Sequence, residues 1–444
     1  MDFNPGLTLI PLIILIFTGM PLAFVLGLVG MIFGYLEFGS GFFNIIPSRF
    51  FDSQTNYLYI CLPLFIFMGN MLDISGAAEK LYSSMYIILG KIRGGLAYTT
   101  VIICAIFAAA TGVIGASVTT MGLIALPGML KRNYNMELAT GTVMAAGCLG
   151  VVIPPSTVLV LYGSWANLSV GRLYMACVFP GLMLAGIYML YIFIKCNVLD
   201  KTAGPAMSKA EIDAVPTKAK WRGVLVSVVP VIVLIILVLG SILLGICTPT
   251  EASALGAVGS LFMAIGYRTL TWKSFLESTF RTARVSAMIM LIASGALIYT
   301  SAFLGSGGAS QVQNFIIGLG LGKWGFIIVV NILLFVMGMF LDWFAILVIC
   351  VPIFAPLYAK FGFDPYWFAA MSVVNLQAAY LTPPFGFALF YIKGIAPRVS
   401  PNLTMDVIIK AVRPYLLLVV CGVIILCLFP QIATWLPDAF YQGA

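Results

Sequence analysis

The chain has 444 residues, of which 62% are hydrophobic and 9% are charged, and its mean hydropathy is +1.10. Soluble domains carry far more charge, so this composition predicts an all-α polytopic membrane protein. The sequence contains no histidine, which excludes Ser-His-Asp and Cys-His catalysis and the usual imidazole ligands of transition metals. We therefore expect neither an enzyme nor a bound cofactor.

The formal charge of +8 does not indicate a nucleic-acid partner. The basic residues stand singly or in pairs at the ends of apolar runs, without the stripe and interleaved aromatics of a nucleic-acid surface, and this arrangement is typical of the positive-inside rule. The nine cysteines are scattered without a CxxC pair, so we interpret them as small packing residues.

Residues 1–94 begin with an apolar segment that can cross a bilayer and is too long for the apolar core of a signal peptide, so we expect it to be retained as a span. Residues 95–130 then predict a re-entrant hairpin. Its arms, 95–110 and 118–130, flank the small and polar TGVIGAS (111–117). At 1.5 Å per residue such arms reach about 20–24 Å, less than a hydrocarbon core of about 30 Å.

Basic residues mark both ends of this hairpin, with Lys91 and Arg93 before it and Lys131 and Arg132 after it. The positive-inside rule therefore places both ends on the cytoplasmic side. One long tilted helix or two short spans over the same residues are the alternative.

A break follows in LGVVIPPSTVLVLYG (149–163), where Pro154 and Pro155 interrupt an apolar run. Proline removes a backbone donor, and an unpaired carbonyl in lipid costs several kcal/mol, so the broken helix indicates a bound polar species. A simple kink in a packed helix is the alternative. The polar and basic loop 195–222 comes next, is predicted to be cytoplasmic and divides the chain.

The second half repeats the first at a spacing of 229 residues, which superposes Pro154-Pro155 on Pro383-Pro384, Pro127 on Pro356 and Lys131 on Lys360. The spacing predicts a second hairpin over 324–359 with its tip at MFLDW (339–343), and a second broken helix around 379–386. Its flanks are less basic, which fits the opposite membrane side and an inverted-topology repeat.

Unwound carbonyls coordinate sodium, and half-helix N-termini attract anions. We therefore expect two sodium sites, with no transition metal. The candidate sodium ligands of the first site are Thr111, Gly112, Ser117, Gly150, Ile153 and Pro155. Those of the second site are Gly338, Ala379, Thr382 and Phe385.

The candidate substrate-binding residues are Thr119, Thr120, Ser156, Asp342, Asn375 and Gln377. An intramembrane carboxylate such as Asp342 is a functional candidate, yet it also fits as the N-cap of the following helix. The threonines, Asn375 and Gln377 either bind substrate or bridge helices. By contrast, Thr248 and Glu251 form a predicted capping box with a structural role.

At these motifs the sequence resembles the large membrane subunit of tripartite ATP-independent periplasmic (TRAP) transporters, the DctM-like family. The resemblance spans nearly the whole chain. Its motifs are PLFIFMGNML (63–72), MGLIALPGMLKRNYNMELATGT (121–142), LGVVIPPS (149–156), GICTPTEASALGAV (245–258), GMFLD (338–342) and VVNLQAAYLTPPFG (373–386).

The resemblance implies a sodium-coupled importer of a small organic acid anion in the bacterial inner membrane. It implies an elevator mechanism, in which a transport domain slides against a scaffold. It also implies two partners, a small four-helix membrane subunit and a periplasmic substrate-binding protein. On this reading the segments are scaffold (1–94 and 223–322), transport halves (95–194 and 323–400), linker (195–222) and C-terminal helix (401–444).

The tip TGVIGAS departs from the serine-rich tip of many family members, because Val113 and Ile114 stand where hydroxyls are expected. Sodium coordination there must use carbonyls, Thr111 or Ser117. The alternatives are a stand-alone sodium/organic-anion symporter of related fold, and, from another class, a channel or a structural scaffold.

Overall fold

The computed structural model describes residues 5–111, 114–207, 216–341, 343–383 and 386–441, and these residues form helices joined by short connections. The described part of the chain contains no β-strand, so the all-α prediction is confirmed. Seven of its helical segments are long and apolar enough to cross a bilayer. They are Leu22–Thr55, Tyr57–Ile74, Val170–Leu199, Trp221–Leu243, Trp272–Gly305, Lys323–Phe340 and Met405–Leu428.

The first half contains ten helices of more than one turn in its described residues. The N-terminal five are α1 (Leu9–Phe17), α2 (Leu22–Phe38), α3 (Ile45–Thr55), α4 (Cys61–Ile74) and α5 (Ala77–Leu89). The next five are α6 (Gly95–Thr111), α7 (Ile114–Leu130), α8 (Met136–Gly147), α9 (Thr157–Ala166) and α10 (Val170–Phe193).

The second half begins after the basic loop. Its first five helices are α11 (Thr217–Ile235), α12 (Pro249–Gly266), α13 (Trp272–Gly305), α14 (Gly308–Gly318) and α15 (Lys323–Phe340). The remaining helices are α16 (Trp343–Lys360), α17 (Pro365–Leu381), α18 (Phe387–Val399), α19 (Met405–Leu428) and α20 (Gln431–Tyr441). The segment 401–444 therefore holds two helices, not the single predicted one, because Pro430 lies between them and disfavours helical geometry in the residue before it.

Close backbone approach joins the N-terminal helices to the second half. A Cβ on Gly30 of α2 would lie 2.7 Å from the Cα of Tyr299 in α13, so only glycine permits this contact. Small residues at helix crossings allow the dense packing that stabilises helices in lipid, where the hydrophobic effect does not drive helix association. The capping box predicted at α12 is also present, since the Thr248 amide donates to Glu251 Oε2 over 2.7 Å.

The first hairpin consists of α6 and α7, which pack against each other. The Gly94 amide before α6 donates to the Gly204 carbonyl over 2.8 Å, and the Asn135 amide after α7 donates to the Ala203 carbonyl over 2.8 Å. Both ends of the hairpin therefore lie beside the basic loop. One long tilted helix would put them on opposite sides, so the re-entrant arrangement holds.

The second hairpin, α15 and α16, closes in the same way. Lys323 Nζ donates to the Gly362 carbonyl over 3.1 Å, and the rings of Phe326 and Phe361 stack with centroids 4.4 Å apart. The arms of the two hairpins have 17 or 18 residues, or about 26 Å of helix, which is still shorter than the hydrocarbon core.

Both hairpin tips are tighter than the sequence predicted. The segment 111–117 was expected to be a loop, but α6 extends to Thr111 and α7 begins at Ile114, so Gly115 and Ser117 are helical. Likewise α16 begins at Trp343. Each non-helical residue at membrane depth leaves peptide groups unpaired, and this cost favours the shortest turn that reverses the chain.

Each hairpin is followed by a broken helix, as predicted. The helix α8 ends at Gly147, a 3-10 turn covers Cys148–Val151, and helical structure resumes with α9 at Thr157. In the second half α17 ends at Leu381 and α18 begins at Phe387.

The internal repeat extends to the helix boundaries. The ends of α6 and α15, the starts of α7 and α16, and the starts of α8 and α17 are each separated by 229 residues. Gly76 and Gly307, which precede α5 and α14, both adopt left-handed conformations, with φ of 67° and 78°. Equivalent sequence positions therefore have equivalent backbone structure.

Packing between the halves is reciprocal. Helix α10 contacts α17, and its counterpart α19 contacts α8; helix α9 contacts α16, and its counterpart α18 contacts α7. Reciprocal contacts between equivalent elements are the signature of a two-fold relation. Both hairpins and both broken helices thus meet near one pseudo-two-fold axis.

Candidate functional site

A cavity of about 350 Å³ lies where the hairpin tips and the helix breaks meet. Its volume falls within the range of roughly 300–1,000 Å³ that is usual for ligand pockets. Both repeats contribute to its wall. Its described lining residues are Ile66, Ile114, Gly115, Val151, Thr157, Val158, Val285, Met288, Ile289, Ile292, Trp343, Phe344, Tyr380, Phe387 and Tyr391.

Four helices begin at the wall of this cavity. Ile114, Thr157, Trp343 and Phe387 line it, and they are the first residues of α7, α9, α16 and α18. The first turn of a helix has unpaired N–H groups and carries roughly half a positive charge. Among the described lining residues none is Lys, Arg, Asp or Glu, so the helix ends supply the positive potential there.

The opposite wall of the cavity is apolar. It consists of Ile66 from α4 and of four residues on one side of α13, namely Val285, Met288, Ile289 and Ile292. These helices belong to segments 1–94 and 223–322, whereas the four helix starts belong to the hairpins and broken helices. The cavity is therefore bounded by two different structural units with different chemistry.

The first break is held by side-chain hydrogen bonds. Ser156 is buried, and its Oγ donates to the Val151 carbonyl over 2.7 Å. The Cys148 carbonyl accepts a 2.6 Å hydrogen bond from Gln377 Nε2 of α17. The peptide bond between Pro154 and Pro155 is cis. The break is thus a defined, buried backbone conformation to which both repeats contribute.

The second break has a similar support. Thr382 follows α17 with an extended backbone, and its Oγ1 donates to the Ala378 carbonyl over 2.6 Å. Gly338 of α15 packs against Ala379 so closely that a Cβ on Gly338 would collide with the Ala379 side chain. Three predicted ligands of the second sodium site, Gly338, Ala379 and Thr382, therefore lie in one small region.

The predicted ligands of the first sodium site lie on two segments that are in contact. Gly150 belongs to the 3-10 turn, Ile153 and Pro155 to the break, and Ser117 to α7. Both α6 and α7 contact the 3-10 turn, so the tip and the break are neighbours. Thr111 is the last residue of α6. Gly112 and Phe385 lie outside the described residues.

The predicted substrate residues are not among the described lining of the cavity. Gln377 and Ser156 hold the first break, as given above. Asn375 Nδ2 donates over 2.8 Å to the Asn331 carbonyl, which joins α17 to α15. Thr119 is partly exposed on α7. Asp342 lies outside the described residues, directly before α16.

Thr120 has a partner that the sequence did not indicate. Its Oγ1 donates to Asp73 Oδ1 of α4 over 2.6 Å, and the other oxygen of Asp73 lies 3.7 Å from Arg281 of α13. This contact joins the first hairpin to two helices outside it. Asp73 occurs three residues after Asn70 in the motif PLFIFMGNMLD, which was quoted for its resemblance only.

Sequence reasoning also missed the polar groups of the cavity wall. Thr157, Trp343, Tyr380 and Tyr391 line it, and two of them are neighbours of predicted residues, since Thr157 follows Ser156 and Tyr380 follows Ala379. The signal that could have found them is their position within one residue of a helix break or tip. Tyr391 gave no such signal, because it lies in the second turn of α18.

Comparison with known proteins gives consistent findings. The profile of the family described as "Tripartite ATP-independent periplasmic transporter, DctM component" matches residues 9–432. The chain is 32% identical over 394 residues to the C4-dicarboxylate TRAP transporter large permease protein DctM of Pseudomonas aeruginosa, covering 88% of this chain and 89% of that protein. It is 32% identical to the isethionate TRAP transporter permease protein DctMQ of Oleidesulfovibrio alaskensis, covering 93% of this chain and 63% of that protein.

A solved structure has the same fold. The crystal structure of the Alcanivorax borkumensis YdaH transporter matches with a TM-score of 0.61 and 14% identity, over 96% of this chain and 98% of that chain.

Proposed function

We propose that this chain, which belongs to the DctM component family of tripartite ATP-independent periplasmic transporters, is the large membrane subunit of a sodium-coupled importer of a small organic acid anion. Members of this family are transporters and not enzymes. The chain is a multi-pass membrane protein, and we place it in the bacterial inner membrane.

The observation that carries the proposal is the convergence of four helix N-termini on one cavity. A carboxylate in a membrane interior needs positive partners, and amide groups at helix starts supply them without a cationic side chain. The cavity lies between the two hairpin tips, where an anion and the ions at the breaks can influence one another.

Sodium is the proposed coupling ion, and no further cofactor is proposed. Backbone carbonyls and hydroxyls suit a hard cation, and both breaks bring such groups together beside a hairpin. Thr111, Gly112 and Ser117 with Gly150, Ile153 and Pro155 form the proposed first site. Gly338, Ala379, Thr382 and Phe385 form the proposed second site.

An elevator movement is the proposed mechanism. The hairpins and broken helices supply the anion-binding wall of the cavity, whereas α4 and α13 supply the apolar wall. If the first unit slides against the second, the apolar wall is exchanged for solvent on the other side of the membrane, and the anion stays with its helix termini.

The proposed partners are a small four-helix membrane subunit and a periplasmic substrate-binding protein. The isethionate relative extends beyond its match with this chain, and its name combines two letters, DctMQ, in one protein. This supports a second membrane part that is separate here.

The test is uptake of labelled acids into proteoliposomes that contain this chain and its small subunit, with and without a sodium gradient and the binding protein. Accumulation that needs both supports the proposal. Sodium-driven accumulation without the binding protein supports the stand-alone symporter, and flux indifferent to sodium contradicts both.

A variant gives this test its residue-level readout. Thr382→Val removes the hydroxyl at the second break and keeps the side-chain shape, so the sodium concentration for half-maximal uptake should rise about tenfold. Thr99→Val is the matched control, because Thr99 Oγ1 also donates to the carbonyl four residues earlier, Gly95, but lies away from both breaks.

A further inference from the structure

We infer that the substrate of the central cavity is a monoanion with an apolar body of aromatic or branched aliphatic character, as opposed to a dicarboxylate or a small hydrophilic acid. This inference rests on the proposed function, since it concerns the same cavity.

The first argument is the composition of the cavity wall. Five of its fifteen described lining residues are aromatic, and these are Trp343, Phe344, Tyr380, Phe387 and Tyr391. Aromatic rings give large apolar contact areas and favourable stacking with other rings. A small hydrophilic anion would leave most of this surface in contact with water, and it would gain nothing from it.

The second argument is the separation of charge and apolar surface. The starts of α7, α9, α16 and α18 form one side of the cavity, and the apolar residues of α4 and α13 form the other. A ligand with one anionic end and one apolar end matches both sides at once. Its head would lie at the helix starts and its body against Ile66, Met288 and Ile289.

The third argument concerns a second charge. The second carboxylate of a dicarboxylate would lie against the apolar wall, where no described lining residue is cationic. A buried charge without a partner is strongly unfavourable. The helix termini supply a diffuse positive potential on one side only, so the cavity favours a single charge.

The experiment measures binding to the full chain in lipid nanodiscs through the fluorescence of Trp343, one of seven tryptophans. The probes are 3-phenylpropionate, succinate and isethionate, each in sodium and in potassium buffer. We expect 3-phenylpropionate to bind in sodium at least about tenfold more tightly than the other two. The signal should be lost in Trp343→Phe.

A charge variant tests the apolar wall directly. Met288→Lys puts a cation on α13 at the cavity, so it should weaken binding of 3-phenylpropionate and strengthen binding of succinate. Leu291→Lys is the matched control. Leu291 is partly exposed on the same helix, three residues further on, and is not among the described lining residues. It should leave both affinities unchanged.

The outcomes separate this inference from the proposed function. Sodium-dependent binding of succinate or isethionate as tight as that of 3-phenylpropionate overturns the substrate class and leaves the transport role intact. A preference unaffected by Met288→Lys also overturns it. If none of the three acids binds in either buffer, the cavity is not an anion site and the proposed function falls with the inference.

Discussion

Gln377 donates a 2.6 Å hydrogen bond from Nε2 to the carbonyl of Cys148, and these two residues occupy equivalent positions in the two repeats. The 229 residues between them are the spacing that superposes Pro154 on Pro383. Equivalent residues touch only near a symmetry axis, so this contact marks the pseudo-two-fold axis. The first break is therefore fixed by the second repeat, which joins the two proposed sodium sites mechanically.

Replacing Gln377 with Met should disturb the first break. The change keeps the length of the side chain and leaves the Cys148 carbonyl unpaired in a fully buried place, which costs about 1–3 kcal/mol. We expect lower thermal stability in detergent and weaker sodium dependence of uptake. The measurements are the unfolding temperature and the sodium titration of uptake.

Gln311→Met is the control for this variant. Gln311 Oε1 accepts a hydrogen bond from the Gly6 amide over 3.1 Å, so it too pairs with the backbone, but it lies on α14 away from both breaks. A loss of stability in both variants with sodium dependence unchanged in both would show that Gln377 has a structural role only.

Gly338→Ala should impair the second site, because the added Cβ collides with Ala379. Overpacking of this kind costs about 1–3 kcal/mol. In the first repeat the equivalent positions hold Ala109 and Gly150, with the large and small residue exchanged. The double variant Gly338→Ala with Ala379→Gly should therefore recover uptake and thermal stability. A double variant no better than the single one contradicts this packing argument.

The sequence predicted the architecture because the architecture is written in repeated, local signals. Paired prolines, hairpin arms of sub-membrane length and a constant spacing of 229 residues each have a direct physical meaning. The family resemblance was confirmed by the profile match over 9–432. The candidate ion ligands remain predictions, although those that the structure describes lie at the breaks and tips.

The contacts of individual side chains could not be predicted in this way. Which residues line the cavity depends on how α4 and α13 pack against the hairpins, and a periodic apolar pattern does not encode that choice. For this reason Met288 and Tyr391 were missed. Thr120 was assigned to substrate because of its place in the hairpin, but its hydroxyl is bonded to Asp73.

Thr120→Val tests that assignment. Thr120 is absent from the described cavity lining, and its bond to Asp73 joins the first hairpin to α4. We expect the variant to change the maximal uptake rate and to leave the substrate concentration for half-maximal uptake unchanged. A large change in the latter value, with Thr99→Val behaving like the unmodified protein, would restore Thr120 as a substrate ligand.

The linker also fixes the mouth of the first hairpin, and Gly204 is the residue on which this depends. Its carbonyl accepts the Gly94 amide, while the neighbouring Ala203 carbonyl accepts the Asn135 amide. The turn that presents them is held by Asp200 Oδ1, which accepts from the Thr202 amide and hydroxyl, and these bonds lower the pKa of the Asp200 carboxyl.

Gly204→Val should separate the linker from the hairpin. A Cβ at this position would lie 2.8 Å from Cys196 Sγ and 3.1 Å from both Gly94 Cα and Tyr134 Cε1, so the backbone must move. We expect faster hydrogen exchange at the Gly94 and Asn135 amides and slower uptake, because a loose hairpin no longer moves as one body. Gly186→Val is the control, since a Cβ at Gly186 meets nothing within 4 Å. Unchanged exchange at both amides in Gly204→Val would mean that the hairpin mouth is held without the linker.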